Sequence, residues 1–341
     1  MNKPTKQWLR KGVLSGLVCL VLGGIGAELV ARFHLGLGDP PLMMEDSKIE
    51  YLYKPSSNYQ RFGHEVRYNQ YSMRSDDFSQ RKTAREELRV LVIGDSVVEG
   101  GGLVDQKDIA TERLRKLLQQ GTQIPVLVGN ASAKSWGPPN MLEYVKRYGF
   151  FDADVCIVVV SSHDVADVPT FMPIVGVHPD FPARKPVLAV EELFTRYLPR
   201  YVPAMRKNLP QPDTLNPEEL ERLMKSSVET SMQALRELLE LAKASGAEVM
   251  VAQHLEKREL EDKPMPGHGV IADVAKSCGT EVIQLGPAMA STREAGTETY
   301  KDNIHLTSAG QEAVGEALFK AVQSALDGEN GKRLTLRGET E

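Results

Sequence analysis

A chain of 341 residues, 41% of them hydrophobic and 26% charged, has enough apolar side chain to bury a core, which excludes a disordered polymer. With 41 Lys and Arg against 46 Asp and Glu the net charge is -5, so there is no electrostatic pull toward nucleic acid. Three cysteines, Cys19, Cys156 and Cys278, make no disulfide framework, and without a CxxC or Cys/His cluster they make no zinc site.

The N-terminus is laid out as a membrane-targeting segment. Lys3, Lys6, Arg10 and Lys11 precede an uncharged apolar run over residues 12–27 that continues past Glu28 to Ala31. A span needs about 20 mostly apolar residues. Residues 1–35 are therefore expected to be a single-pass anchor, N-terminus cytoplasmic and body extracytoplasmic (periplasmic). A signal peptide cleaved near Ala27 or Ala31 is the competing reading, and it would leave the body secreted. The large Val18 beside Cys19 argues against lipoprotein processing.

Residues 36–86 form a lead-in of weak periodicity, in which the alternation His64-Glu65-Val66-Arg67-Tyr68 predicts a short hairpin strand. Apolar runs at 88–93, 125–128, 155–160, 248–252 and 281–285 then alternate with helical segments. That pattern predicts a flavodoxin-like three-layer α/β/α sandwich with a five-stranded parallel sheet over residues 87–327. Within it, residues 161–215 hold nine prolines between Pro169 and Pro212, fit no regular element, and are expected to be an insertion over the ligand-binding edge. Asn216, Pro217, Glu218 and Glu219 open a long helix reaching Ser245 that Gly246 closes. Ser308 and Gln311 have capping-box spacing before a last helix with Val314, Leu318 and Val322 at four-residue steps. Residues 328–341 read as a polar tail.

In an open parallel sheet the ligand crevice lies beyond the carboxyl ends of the strands. The segments there are Gly94-Asp95-Ser96-Val97-Val98-Glu99-Gly100-Gly101-Gly102, the stretch from Gly129 to Gly137, Ser161-Ser162-His163-Asp164, and Asp302-Asn303-Ile304-His305. Acyl transfer needs a nucleophile, a base, a group that orients the base, and donors for the oxyanion. Ser96 at a strand-to-helix turn fits the first role, His305 the second and Asp302 the third. Plainer readings stand beside these: Ser96 with Glu99 has capping-box spacing, and Asp302 could be a turn residue. A phosphate-cradling loop fits poorly, because the glycines follow the serine and no Walker lysine is present. His34, His64, His178, His254 and His268 lack metal-ligand spacing and read as structural or solvated. Trp136, Phe171, Phe181 and Tyr197 read as core or lid packing in preference to a sugar-stacking surface.

GDSVVEGGG after the first strand and DNIHLTSAG near the C-terminus together resemble the SGNH/GDSL hydrolases, in order and spacing over about residues 88–327. The resemblance implies that Ser96 is the nucleophile, Asp302 the orienting acid and His305 the base. The family's oxyanion donors are the serine N–H, a glycine N–H after the second strand and an asparagine side chain after the third. Here those places hold Ser96, Ser135 (with Gly137 as the alternative) and His163. Asn69-Gln70-Tyr71-Ser72-Met73-Arg74-Ser75-Asp76 resembles a lead-in segment of membrane-anchored members. No metal or cofactor is implied. The function implied is an extracytoplasmic serine esterase acting on an acylated carbohydrate, such as O-acetyl on a cell-surface or secreted polysaccharide, or on a lipid ester. A polysaccharide O-acetyltransferase, or a catalytically impaired binding component of an envelope polysaccharide system, are the alternatives; His163 in place of asparagine motivates the second.

Overall fold

The computed structural model describes residues 5–84, 86–202 and 216–327. Helix α1 (Thr5–Leu29) runs into a π-turn (Val30–His34), and Arg10–His34 is long and apolar enough to cross a membrane. Two hairpins follow, β1 (Met43–Asp46) with β2 (Glu50–Tyr53) and β3 (Ser57–Arg61) with β4 (His64–Tyr68). The alternation at His64 announces the second hairpin. The first escapes such a reading because all four residues of β2 are buried, leaving no period of two to see.

The main sheet comprises β5 (Leu88–Gly94), β6 (Val126–Ser132), β7 (Val155–Ser161), β8 (Glu248–His254) and β9 (Glu281–Gln284), all parallel, in the order β6-β5-β7-β8-β9. This is the flavodoxin-like order, and its topological switch lies at β5, so a crevice opens beside the residues that follow that strand. Alternate residues of β5, β7 and β8 feed two cores. Leu91, Ile93, Cys156, Val158 and Val251 pack under α4 (Pro138–Tyr148), α7 (Pro217–Ala244) and α8 (Gly267–Ser277), together with the hairpins. Val90, Val92, Ile157, Val159 and Met250 pack under α3 (Ala110–Gln120), α9 (Gly286–Glu294) and α10 (Ser308–Asp327). Each central strand is covered on both faces, which is why its middle reads as a continuous apolar run, Val90 to Ile93 in β5, Val155 to Val160 in β7 and Val249 to Ala252 in β8.

Three expectations need correction. β6 runs four residues beyond Val128, since residues 129–132 continue the parallel pairing with residues 91–94 of β5, and the buried Asn130 is tolerated because its amide donates to Val98 O (2.8 Å) and Thr111 Oγ1 (3.1 Å); residues 129–132 are strand, not loop. Ser308 and Gln311 form no capping box at α10. Thr307 Oγ1 accepts from Gly310 N there, and Gln311 instead bridges to Val97 O and Ala110 N, each at 2.8 Å. Finally, the proline-rich stretch contains regular turns: α5 (Ala189–Glu192), a π-turn (Leu193–Tyr197) and α6 (Leu198–Tyr201). Asn216 does cap α7, its Oδ1 accepting from Glu219 N at 2.9 Å while Glu219 Oε2 accepts from Asn216 N at 3.2 Å. Residues 203–215 and 328–341 lie outside the described residues.

Candidate active site

The turn after β5 sets the first side chain. A Cβ on Gly94 would stand 2.5 Å from Val98 Cγ2, so only glycine lets α2 (Ser96–Glu99) fold back so sharply. Asp95, not Ser96, caps α2, its Oδ1 accepting from Val97 N at 2.8 Å. The capping reading of Ser96 therefore falls away, and its hydroxyl is left for another partner. Gly100, at φ 86°, closes the helix.

That partner is His305. Ser96 Oγ lies 3.0 Å from His305 Nε2, while His305 Nδ1 lies 2.8 Å from Asp302 Oδ2. The other oxygen of Asp302 accepts from the amides of Ile304 (2.9 Å) and His305 (2.7 Å), an Asx-type turn that fixes acid and base relative to each other. Burial would raise the Asp302 pKa, but these two amides and the His305 ring outweigh it and hold the carboxyl below its usual range. Asp302 is thus a turn residue and an imidazole partner at once. Since a carboxylate only accepts, Nδ1 carries the ring proton and Nε2 offers its lone pair to Ser96.

Sequence reasoning missed two supports of this arrangement. His254, at the end of β8 and buried, faces the triad turn: its Nε2 donates to Ile304 O at 3.1 Å. Burial pushes its pKa down to about 4, so it stays neutral. The second is Arg74. Fully buried, it donates Nη1 to Glu99 O (2.6 Å) and Gly101 O (2.8 Å), and Nη2 to Val104 O (2.6 Å). Arg74 thereby clamps the loop that leaves the nucleophile helix, with the Glu99 carboxylate held in turn by Tyr68 OH at 2.5 Å and Gly101 N at 2.8 Å. The sequence signal was a guanidinium in the lead-in; its target was unreadable because the two meet only in the fold.

The expected oxyanion donors divide. Ser135 sits in the loop after β6 at φ 55°, with its carbonyl fixed by Tyr51 OH at 3.1 Å. The alternative, Gly137, is unsuited: its N–H donates to Asn140 Oδ1 at 3.0 Å, and its α-carbon abuts the backbone of Asp167. His163 turns Nε2 toward acids, 3.6 Å from Asp95 Oδ2, 3.7 Å from Asp167 Oδ2 and 4.0 Å from Asp164 Oδ1. That nitrogen therefore does not meet the expectation of an oxyanion donor. Burial would lower the His163 pKa, but pairing with Asp95 and the charges of Asp164 and Asp167 raise it to about 10. Asp95, His163 and Asp164 bring donor atoms within 4.8 Å of one another, close enough for a metal.

A stability prediction follows from the sign of this shift. A histidine whose folded pKa lies above its unfolded value of about 6.5 stabilises fully below that value. Its contribution declines as pH rises and is gone above about 10. His163→Gln is therefore expected to lower the urea midpoint at pH 6 and to leave it nearly unchanged above pH 10. Equal losses at both pH values would refute the cationic role.

Ser96 and His305 open into a cavity bounded by Glu99, Gly101 and Lys301 on the catalytic rim, by Tyr53, Arg61 and Phe62 from the hairpins, and by Arg196 and Tyr197 from the α5–α6 segment. That segment is locked to the hairpins by a buried ion pair, Arg61 Nη2 to Glu192 Oε1 at 2.5 Å, and Arg61 Nη2 also donates to Tyr197 OH at 2.6 Å. Trp136 and Phe181 are buried, Trp136 donating Nε1 to Tyr51 O at 3.1 Å, so both serve packing.

No family model matches the sequence, and no curated protein matches it. Among solved structures, TesA overlaps at TM-score 0.43 and 15% identity, over 70% of this chain and 99% of its own. The acetylxylan esterase Axe2 of Geobacillus stearothermophilus overlaps at 0.43 and 13%, over 69% and 94%. The lipase/acylhydrolase of Enterococcus faecalis overlaps at 0.41 and 12%, over 70% and 96%. With overlaps this loose, the functional reading rests on the Ser96 geometry.

Proposed function

We propose that the protein is a serine esterase, and the observation that carries this is the unbroken contact from Ser96 Oγ through the His305 ring to Asp302. In this reading His305 Nε2 takes the proton as Ser96 Oγ bonds to the ester carbonyl carbon, and the resulting imidazolium is stabilised by Asp302. The N–H groups of Ser96 and Ser135 hold the oxyanion. His305 returns the proton to the leaving oxygen, giving an acyl-serine. A second acceptor, water for hydrolysis or a sugar hydroxyl for acyl transfer, then bonds to the acyl carbon as its proton passes to His305, and His305 returns that proton to Ser96 Oγ as the acyl–Oγ bond breaks.

The finer reading is an extracytoplasmic, membrane-anchored enzyme acting on ester-linked acyl groups, in the first place O-acetyl on a cell-surface or secreted polysaccharide. Its membrane placement is supported by the apolar helix with Lys and Arg ahead of it. A binding component without catalysis is the second reading, favoured only by the turn of His163 Nε2 toward acids. A fluorophosphonate probe separates the two: the wild-type protein is expected to be labelled at Ser96, and Ser96→Ala not at all. Absence of labelling in the wild type at every pH would leave the binding reading.

A further inference from the structure

The segment that roofs the cavity is fastened to the N-terminal helix by that helix's one carboxylate. Glu28 Oε1 accepts from Ala189 N at 3.0 Å and Oε2 from Val190 N at 3.1 Å, the first amides of α5. Leu188, before them, has no side chain able to cap, so Glu28 performs that role from 161 residues away. Arg32, one turn on, donates to Glu28 Oε1 through Nη2 at 2.7 Å and Nε at 2.9 Å. Ala31, Leu37 and Ala189 are buried together beneath the joint.

The helix fixes the height of this joint. Arg10–His34 has 25 residues, about 37 Å at 1.5 Å each, against a hydrocarbon thickness of about 30 Å. With Lys11 at one face, the other falls about 20 residues later, near Val30. Glu28 then lies just inside the boundary, where an unpaired carboxylate is expensive and a paired one is tolerated. Its partners, Arg32 and the start of α5, must come down to meet it. Around them Phe33, Val187, Leu188, Phe194 and Tyr201 are exposed, Val187 at 79% and Tyr201 at 81%. Val187, Phe194 and Tyr201 recur at seven-residue intervals along the roofing segment.

We propose that this segment rests on the phospholipid bilayer that α1 enters, its apolar side chains in the headgroup–acyl boundary, so that the Ser96 cavity opens at the lipid surface. The inference rests on the membrane-anchor reading above. It commits to the bilayer itself as the partner, and it narrows the substrate to an acyl ester displayed at that surface. Arg196 and Tyr197 belong to the same segment and line the same cavity, so lipid contact and substrate entry share one wall.

The test uses the full chain in liposomes of phosphatidylcholine and phosphatidylglycerol. Val187→Cys, Phe194→Cys and Gln120→Cys are made in a Cys19→Ser, Cys278→Ser background; Cys156 is buried and stays unlabelled. Gln120 ends α3 beside the start of β6, where Gln119 Oε1 accepts from Val126 N, at the opposite end of the strands from the crevice. An environment-sensitive fluorophore at Val187 or Phe194 is expected to be quenched by spin-labelled lipid at least about twofold more than one at Gln120. Flotation is scored separately. If the protein floats with the liposomes and the three positions quench alike, the surface contact is wrong; if it does not float, the anchor reading fails and takes this one with it.

Discussion

Ser96→Ala, His305→Ala and the double variant are expected to lower p-nitrophenyl acetate hydrolysis by about the same factor, on the order of 10⁴ to 10⁶. The reason lies in the contact itself. A serine hydroxyl is a poor nucleophile until a base removes its proton, and the Oγ to Nε2 distance of 3.0 Å makes His305 that base. Once either partner is gone the other has nothing to act on, so the losses do not add. Asp302→Asn should cost less, about 10² to 10⁴, because the ring remains in place while the proton at Nδ1 loses its acceptor. Steady-state rates on purified, detergent-solubilised protein decide the matter. Losses that multiply in the double variant would mean that Ser96 and His305 act separately.

The parts of this architecture visible in the sequence are those set by local rules. Strands β5 and β7 announce themselves because burial on both faces favours consecutive apolar residues, Val90 to Ile93 in the one and Val155 to Val160 in the other. Asn216 and Glu219 announce α7 because a cap and its acid sit three residues apart. The nucleophile was legible for a related reason: Ser96 directly follows β5, and parallel-sheet topology gathers such turns on one rim, whereas His305 reaches that rim from the loop between α9 and α10.

What stayed hidden depends on partners distant in the chain. α5 begins without a local cap, and its first amides find their acceptor at Glu28. No window around Leu188 contains that information. Gln311 looked like half of a capping box, yet its amide serves Val97 and Ala110. His163 was expected to stand in for an asparagine donor. Three acidic side chains from two segments surround its Nε2, and the nearest of them, Asp95, is distant in the chain. In each case the residue type was informative about capacity and silent about direction.

Arg74 is the strongest instance, and Arg74→Met is expected to destabilise the protein by about 3–5 kcal/mol. The change removes a fully buried guanidinium and keeps most of the side-chain volume, so the loss is electrostatic and not a cavity. Three backbone carbonyls, of Glu99, Gly101 and Val104, lose their donor at once, and the buried Glu99 carboxylate loses the cation 3.7 Å away. Arg74→Lys should recover less than half of the loss, since one ammonium cannot reproduce a planar fork aimed at carbonyls on both sides. Because Gly101 and Glu99 also wall the cavity, esterase activity should fall about 10- to 100-fold under conditions where the variant is still folded. Urea midpoints and rates measured on the same samples separate the two effects. A variant as stable and as active as the parent would mean that the loop beyond Ser96 holds its shape without the lead-in, and that Arg74 is a passenger in it.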